Sequence, residues 1–330
     1  MALTLEEAKV GYADKVEQYV IDEFRRSSIL LDKLTFDDTI SPTGGSNLVY
    51  GYQRLETPST ASVRQINAEY SPNEAKRTKC TASPVILGGS FQIDRVIAQT
   101  SGAINEMDFQ IKEKTKAGAN YFHNLVINGT SAASGTGYVP NTFDGLKKIL
   151  TGKSTEMTTD IDISTSTLLD SNYNALLDEL DTFIALLAAK PDVLMMNSKM
   201  LTKVKSAARR AGYYDRNKDD FGRTVETYNG IILMDAGQYY NGSTTEDVVS
   251  TSTPGSDTYG TTDIYAAKLG LDAFHGISVD GSKMLKTYLP DLQAPGAVKT
   301  GEVELIAGAV LKNSKMAGVL KGIKLLGKTA

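Results

Sequence analysis

Few residues in this chain combine types and spacing that could do chemistry. Gly152-Lys-Ser154 ends like a phosphate-binding loop, in which backbone amides and a lysine cradle a nucleotide. The glycine such a loop needs five residues earlier is Lys147, and the pattern before it is helical rather than strand-like. Gly135-Thr-Gly137 opens like a dinucleotide fingerprint but meets Pro140 where the third glycine belongs. Asp160-Ile-Asp162-Ile-Ser164 begins like a calcium loop and lacks its sixth-position glycine and closing glutamate. None of the three completes its pattern.

The histidines, His123 and His275, have no serine, cysteine or carboxylate pattern beside them that would make either a base. His123 falls on a long helical pattern and His275 beside Gly276 in an expected turn. Cys80 sits among Lys76, Arg77 and Lys79, whose charges could activate a thiol, yet an incidental small residue on a strand is the better reading. Lys199, Lys203, Lys205, Arg209 and Arg210 could meet phosphates. They lack an aromatic ladder, and Met200, Leu201 and Val204 take the other face, so a solvated or subunit-facing surface is the better reading. Lys312, Lys315, Lys321, Lys324 and Lys328 read the same way. No catalytic, cofactor-binding or metal-ligating set emerges, and the chain is not expected to be an enzyme.

Composition agrees. The 330 residues carry 35 basic and 39 acidic side chains, a formal net charge of −4, which excludes bulk-charge binding of nucleic acid. At 41% hydrophobic and 22% charged, the chain falls in the globular range, and its length suggests about two domains. A single cysteine rules out an intramolecular disulfide or a cysteine-rich zinc site and fits a reducing compartment. Glu6 and Glu7 stand where a secretory signal would be basic, and the longest apolar run, Phe183 to Ala189, is far short of the ~20 residues that span a bilayer. The protein is expected to be soluble, to stay where it is made, and to need no membrane.

The elements follow from pattern. Residues 4–24 read as an amphipathic helix opened by a Thr4/Glu7 capping box, with an apolar stripe of Leu5, Ala8, Tyr12, Val16 and Tyr19 that needs a partner. Leu48–Tyr52 and Val85–Ile93 read as strands around a polar stretch rich in turn residues and carrying Arg54, Arg64, Lys76, Arg77 and Lys79. That stretch cannot bury much area alone. It is either a disordered insertion or a long hairpin that becomes ordered on another surface. Ser101 can cap a helix over residues 104–127, a rod of about 36 Å at 1.5 Å per residue. Thr130–Thr142 reads as a loop, Phe143–Leu150 as a short amphipathic piece, Thr151–Thr167 as irregular, and 172–189 as a second helix. Asp192–Met196 reads as a buried strand, then a basic helix from Asn197 or Ser198 to Gly212, and strands around Asn229-Gly230. Ser243–Thr262 reads as loop, with strands at 264–267, 277–279, 303–311 and 317–325.

Taken in order, these elements and several local runs resemble the major capsid proteins of tailed bacteriophages, an α+β fold of the Hong Kong 97-like kind. The runs are Ser90-Phe-Gln-Ile-Asp-Arg95 ahead of the long helix, Val193-Leu-Met-Met-Asn-Ser198, and Tyr228-Asn-Gly-Ile-Ile-Leu-Met-Asp235. Ile264-Tyr-Ala-Ala-Lys-Leu-Gly270 with His275-Gly-Ile-Ser-Val279 is similar to the stretch that returns to the peripheral domain.

The resemblance implies an N-terminal arm (1–40), an extended loop (41–98), a peripheral domain (99–165 and 275–330) with its spine helix at 104–127, and an axial domain (166–274). It implies self-assembly through pentamers and hexamers into an icosahedral head enclosing double-stranded DNA without sequence-specific binding. It also implies a separate scaffolding protein, a portal and decoration proteins as partners, with assembly in the host cytoplasm and residence in the virion. Arg54, Arg64, Lys76, Arg77 and Lys79 of the loop are expected to face acidic surface on a neighbour, with Glu106, Asp108 and Glu113 of the spine helix as candidates. Lys76 or Lys79 could serve in a crosslink, but no partner asparagine or activating glutamate is identifiable, and none is expected. Two alternatives remain: an encapsulin-type nanocompartment shell, and a soluble two-domain enzyme or ligand-binding protein.

Overall fold

A computed structural model describes residues 29–39, 48–99, 106–131, 142–212, 215–218, 224–256, 258–279 and 285–328. The helix expected over 4–24, the Ser101 cap and Gly135–Pro140 lie outside them.

Two sheets organise the fold. The first has five strands: β1 (Phe36–Asp38), β4 (Val85–Asp94), β13 (Phe274–Ser278), β14 (Leu285–Tyr288) and β15 (Val298–Leu311). β15 is its backbone. β4 runs antiparallel along residues 298–307, while β14 and β13 pair with residues 302–305 and 307–311 on the other side. β1 adds in parallel to β13. His275 therefore lies within a wholly buried strand, not in a turn. The run Phe274–Ser278 gives no polar/apolar alternation because both of its faces are covered.

The second sheet has seven strands in the order β5-β16-β12-β6-β9-β8-β7. These are β5 (Glu156–Thr158), β6 (Val193–Met196), β7 (Asp215–Lys218), β8 (Thr224–Tyr228), β9 (Ile231–Asp235), β12 (Gly260–Ala267) and β16 (Ala317–Leu326). β8 and β9 turn on Asn229 (φ 49°) and Gly230 (φ 72°), the positive-φ pair that a tight hairpin demands. Two further pairs stand apart: β2 (Tyr50–Thr57) with β3 (Lys76–Ala82), and β10 (Gln238–Tyr240) with β11 (Thr245–Asp247).

The described helices are α1 (Ile29–Lys33), α2 (Arg95–Gln99), α3 (Glu106–Asn128), α4 (Leu146–Leu150), α5 (Ser166–Ala185) and α6 (Ser198–Ala211). α3 is the expected strut. α6 has the ends its sequence signals: the Asn197 side chain accepts from Met200 N, and Gly212 closes it at φ 76°. α5 starts six residues before the expected Asn172, because Thr165 caps Leu168 N and Leu169 already reaches the core.

Two other expectations are corrected by the pairing. Residues 151–167 contain β5, and the expected loop 243–262 contains β11 and the start of β12. β16 pairs with β12, and β5 with β16, so both lie in the seven-stranded sheet.

That sheet separates two cores, and alternate residues of single strands feed each. Val193, Met195, Tyr265 and Ala267 face the core shared with α3, α4 and the five-stranded sheet. Leu194, Met196, Ile264 and Ala266 face the core beneath α5 and α6. Fully apolar central strands such as Val193–Met196 follow from this double burial.

Candidate intersubunit arm and its foot

The β2–β3 hairpin leaves the body as an arm. Tyr50 pairs with Ala82 at its foot and Thr57 with Lys76 at its far end, and residues 58–75 cross between the strands without regular structure. Every residue from Leu55 to Lys79 is exposed. The crossing region is nonetheless fastened by its own side chains. Arg64 donates to Ala68 O (3.0 Å) and stacks on Tyr70, and Asn73 donates to Thr60 Oγ1 (2.8 Å). This arrangement presents Val63, 100% exposed, and Ile66, 92% exposed, on a shaped tip. A lone two-stranded hairpin is marginal in water, so the arm lacks burial that its own chain does not supply.

The expected site residues divide into two groups. Arg64, Lys76, Arg77 and Lys79 lie on the exposed arm, whereas Arg54 turns inward to its own chain. Its Nε donates to Lys312 O and its Nη2 to Leu311 O, both at 2.9 Å. Glu106 and Glu113 are exposed on the N-terminal half of α3 and Asp108 is half-buried there. Among the described residues, none of these helix acids pairs with an arm cation of the same chain.

At the foot, residues far apart in sequence converge. The Tyr50 hydroxyl donates to Asp37 Oδ2 (2.6 Å). Its ring meets the His275 ring edge-to-face at 5.7 Å, and Lys312 Nζ lies 5.4 Å from its centroid. Burial, the Asp37 hydrogen bond and the Asp37 charge push the Tyr50 hydroxyl far above its usual range. Arg54 sits over the Tyr52 ring at 5.8 Å, and Cys80 is directly across from Tyr52 in the hairpin register. Beside the foot is a cavity of about 550 Å³, lined in part by Arg54, Asp144, Lys148, Lys153 and the end of β15. Sequence reasoning missed the convergence of Asp37, Tyr50 and Lys312, because no local spacing connects them.

Asp162 Oδ1 accepts from the amide and hydroxyl of Ser164 in a local turn. Among the described residues, no group of three or more His, Cys, Asp or Glu side chains could hold a metal, and no helix is long and apolar enough to cross a membrane. Part of the basic face of α6 is engaged internally: Lys205 pairs with Glu226 and Arg210 with Asp170. His123, on α3, is held down to about 4 by burial.

Residues 76–232 match the SU10 major capsid protein family. No curated protein matches the sequence. Among solved structures, the SrpI encapsulin of Synechococcus elongatus PCC 7942 aligns over 100% of this chain and 99% of its own (12% identity, TM-score 0.62). The capsid of an empty GTA particle aligns over 90% of each chain (12%, 0.60). The capsid of the Myoviridae phage XM1 aligns over 86% of this chain and 89% of its own (12%, 0.54). The fold is the Hong Kong 97-like shell fold. The family match covers just under half of the chain, and the solved structures share its fold.

Proposed function

We propose that the chain is a major capsid protein of this fold, and that its subunits close into an icosahedral phage head by laying the β2–β3 arm across a neighbour. The observation that carries this is the arm itself, exposed from Leu55 to Lys79 with an apolar tip. Ordering a backbone costs about 1–2 kcal/mol per residue, and area on another subunit can offset it. Arg64, Lys76, Arg77 and Lys79 would meet acidic surface there, with Glu106, Asp108 and Glu113 of the neighbour as candidates. Arg54 instead anchors the arm at its foot.

In this reading the five-stranded sheet and α3 form the peripheral part. The seven-stranded sheet with α5 and α6 forms the axial part, near five- and six-fold positions. A scaffolding protein, a portal and decoration proteins would be the partners. The head would be built in the host cytoplasm and enclose double-stranded DNA without sequence-specific contacts, for which a net charge of −4 is suitable.

The end-to-end likeness to the SrpI encapsulin favours one second reading, a protein-filled nanocompartment. The match to the SU10 family favours the phage head. Expression of the full chain, followed by sedimentation and electron microscopy, tests both. Closed shells tens of nanometres across are expected, and a small oligomer refutes either. Shells that co-purify with one protein cargo at fixed stoichiometry refute the phage head and favour the compartment.

A further inference from the structure

His275 is wholly buried, and neither ring nitrogen makes a well-formed hydrogen bond. Buried polar groups are nearly always satisfied, so a ring left in this state calls for a reason. It is not in an inert part of the core, because its edge-to-face partner is Tyr50, the first residue of the arm. Tyr50 is held in turn by its hydrogen bond to Asp37 on β1, the strand beside β13.

We propose that His275 is a proton-operated latch for the arm. A proton taken from solvent by its ring draws the Asp37 carboxylate away from the Tyr50 hydroxyl and frees the foot of the hairpin. Neutral imidazole leaves Asp37 to Tyr50. An imidazolium in the same place is a buried charge in need of an acceptor, and a nearby carboxylate already committed to the arm can serve.

The charged and titratable groups around the ring come from each packed element: Asp37 from β1, Tyr50 from β2, Lys312 just past β15, and Asp272 from the turn before β13. Burial first, and then the Lys312 charge, pull the ring below its ordinary 6.5, against the Ala273 backbone, Asp37 and Asp272. The direction of the effect follows. Well above pH 6.5 the ring is neutral whether the foot is closed or open. As pH falls below that, only the open foot takes up the proton readily, so closure weakens. The latch lies within one chain and does not depend on the shell reading.

Hydrogen exchange read by mass spectrometry on the full chain tests it between pH 7.5 and 5, above the ordinary carboxylate range, with rates corrected for intrinsic chemistry. Amides of residues 50–54 and 78–82 should exchange about tenfold faster at the lower pH, or about 1.4 kcal/mol of lost protection. His275→Phe keeps an edge against Tyr50 but cannot titrate, and should abolish the step. Tyr50→Phe should open the foot at neutral pH and also lose the step. A wild-type chain without the step, or an equal step in His275→Phe, overturns the proposal. If His275→Phe does not fold, an undiminished step in Tyr50→Phe overturns it.

Discussion

Replacing the two apolar residues at the arm's tip should separate stability from assembly. Val63 and Ile66 are 100% and 92% exposed, so the double variant Val63→Ser/Ile66→Ser removes nothing that the isolated subunit buries. The unfolding midpoint of the dissociated subunit should shift by no more than about 0.5 kcal/mol, as for surface positions in general. In the assembled state the same residues would lie against a neighbour. Full burial of a Val or Ile side chain is worth about 1.5–3 kcal/mol, so half-burial of both gives roughly 1.5–3 kcal/mol per arm. That weakens each arm contact about 10- to 150-fold, at 1.4 kcal/mol per tenfold. A closed shell repeats the contact at every subunit, so the concentration needed for assembly should rise steeply. Calorimetry on subunits and sedimentation velocity across a concentration series read the two effects independently. Assembly at wild-type concentration, or a subunit destabilised by more than 1 kcal/mol, would refute the reasoning that the tip's partner is another chain.

Three further outcomes are expected. Asn197→Ala should cost about 2–4 kcal/mol in denaturant unfolding. It removes the α6 cap and the donors to Val249 O, Thr251 Oγ1 and Thr262 Oγ1 from a site that is 1% exposed. Gly276→Ala should cost about 1–3 kcal/mol, because the new methyl group would meet the Phe36 ring and push β1 from β13. Glu156 is held below the usual carboxylate range by Lys321 and then by the Gly152 amide. Its contribution to stability is therefore present above pH 4.5 and lost as pH falls through the depressed value. Glu156→Gln should flatten that part of an acid-unfolding curve.

What could be read from sequence was whatever local chemistry decides. Asn197 and Gly212 bracket α6, Asn229-Gly230 makes its hairpin, and the spacing of Ile111, Phe122 and Leu125 marks α3. β5 escaped notice because three residues, Glu156–Thr158, become a strand only when β16 supplies their partners. β13 was read only from residue 277, because burial on both faces removes alternation. The arm was legible as a region unable to bury itself, though the inward turn of Arg54 was not. The foot was invisible for a different reason. Asp37, Tyr50, His275 and Lys312 have no mutual spacing, and only the closure of the five-stranded sheet assembles them.

The strand order also governs when the chain can become a subunit. β4 must wait for β15, more than two hundred residues later, and β12 and β5 must wait for β16. During synthesis neither sheet can close until residues 298–326 have emerged. Pairing over such separations is slow, since loop closure is paid before contact rewards it. The arm, by contrast, pairs only with itself and can form early. Its foot, however, is fixed to the carbonyls of Leu311 and Lys312, near the last section to arrive. A nascent or shortened chain thus has no rigid base from which to hold its arm to a neighbour, so unfinished chains would be kept out of a growing lattice.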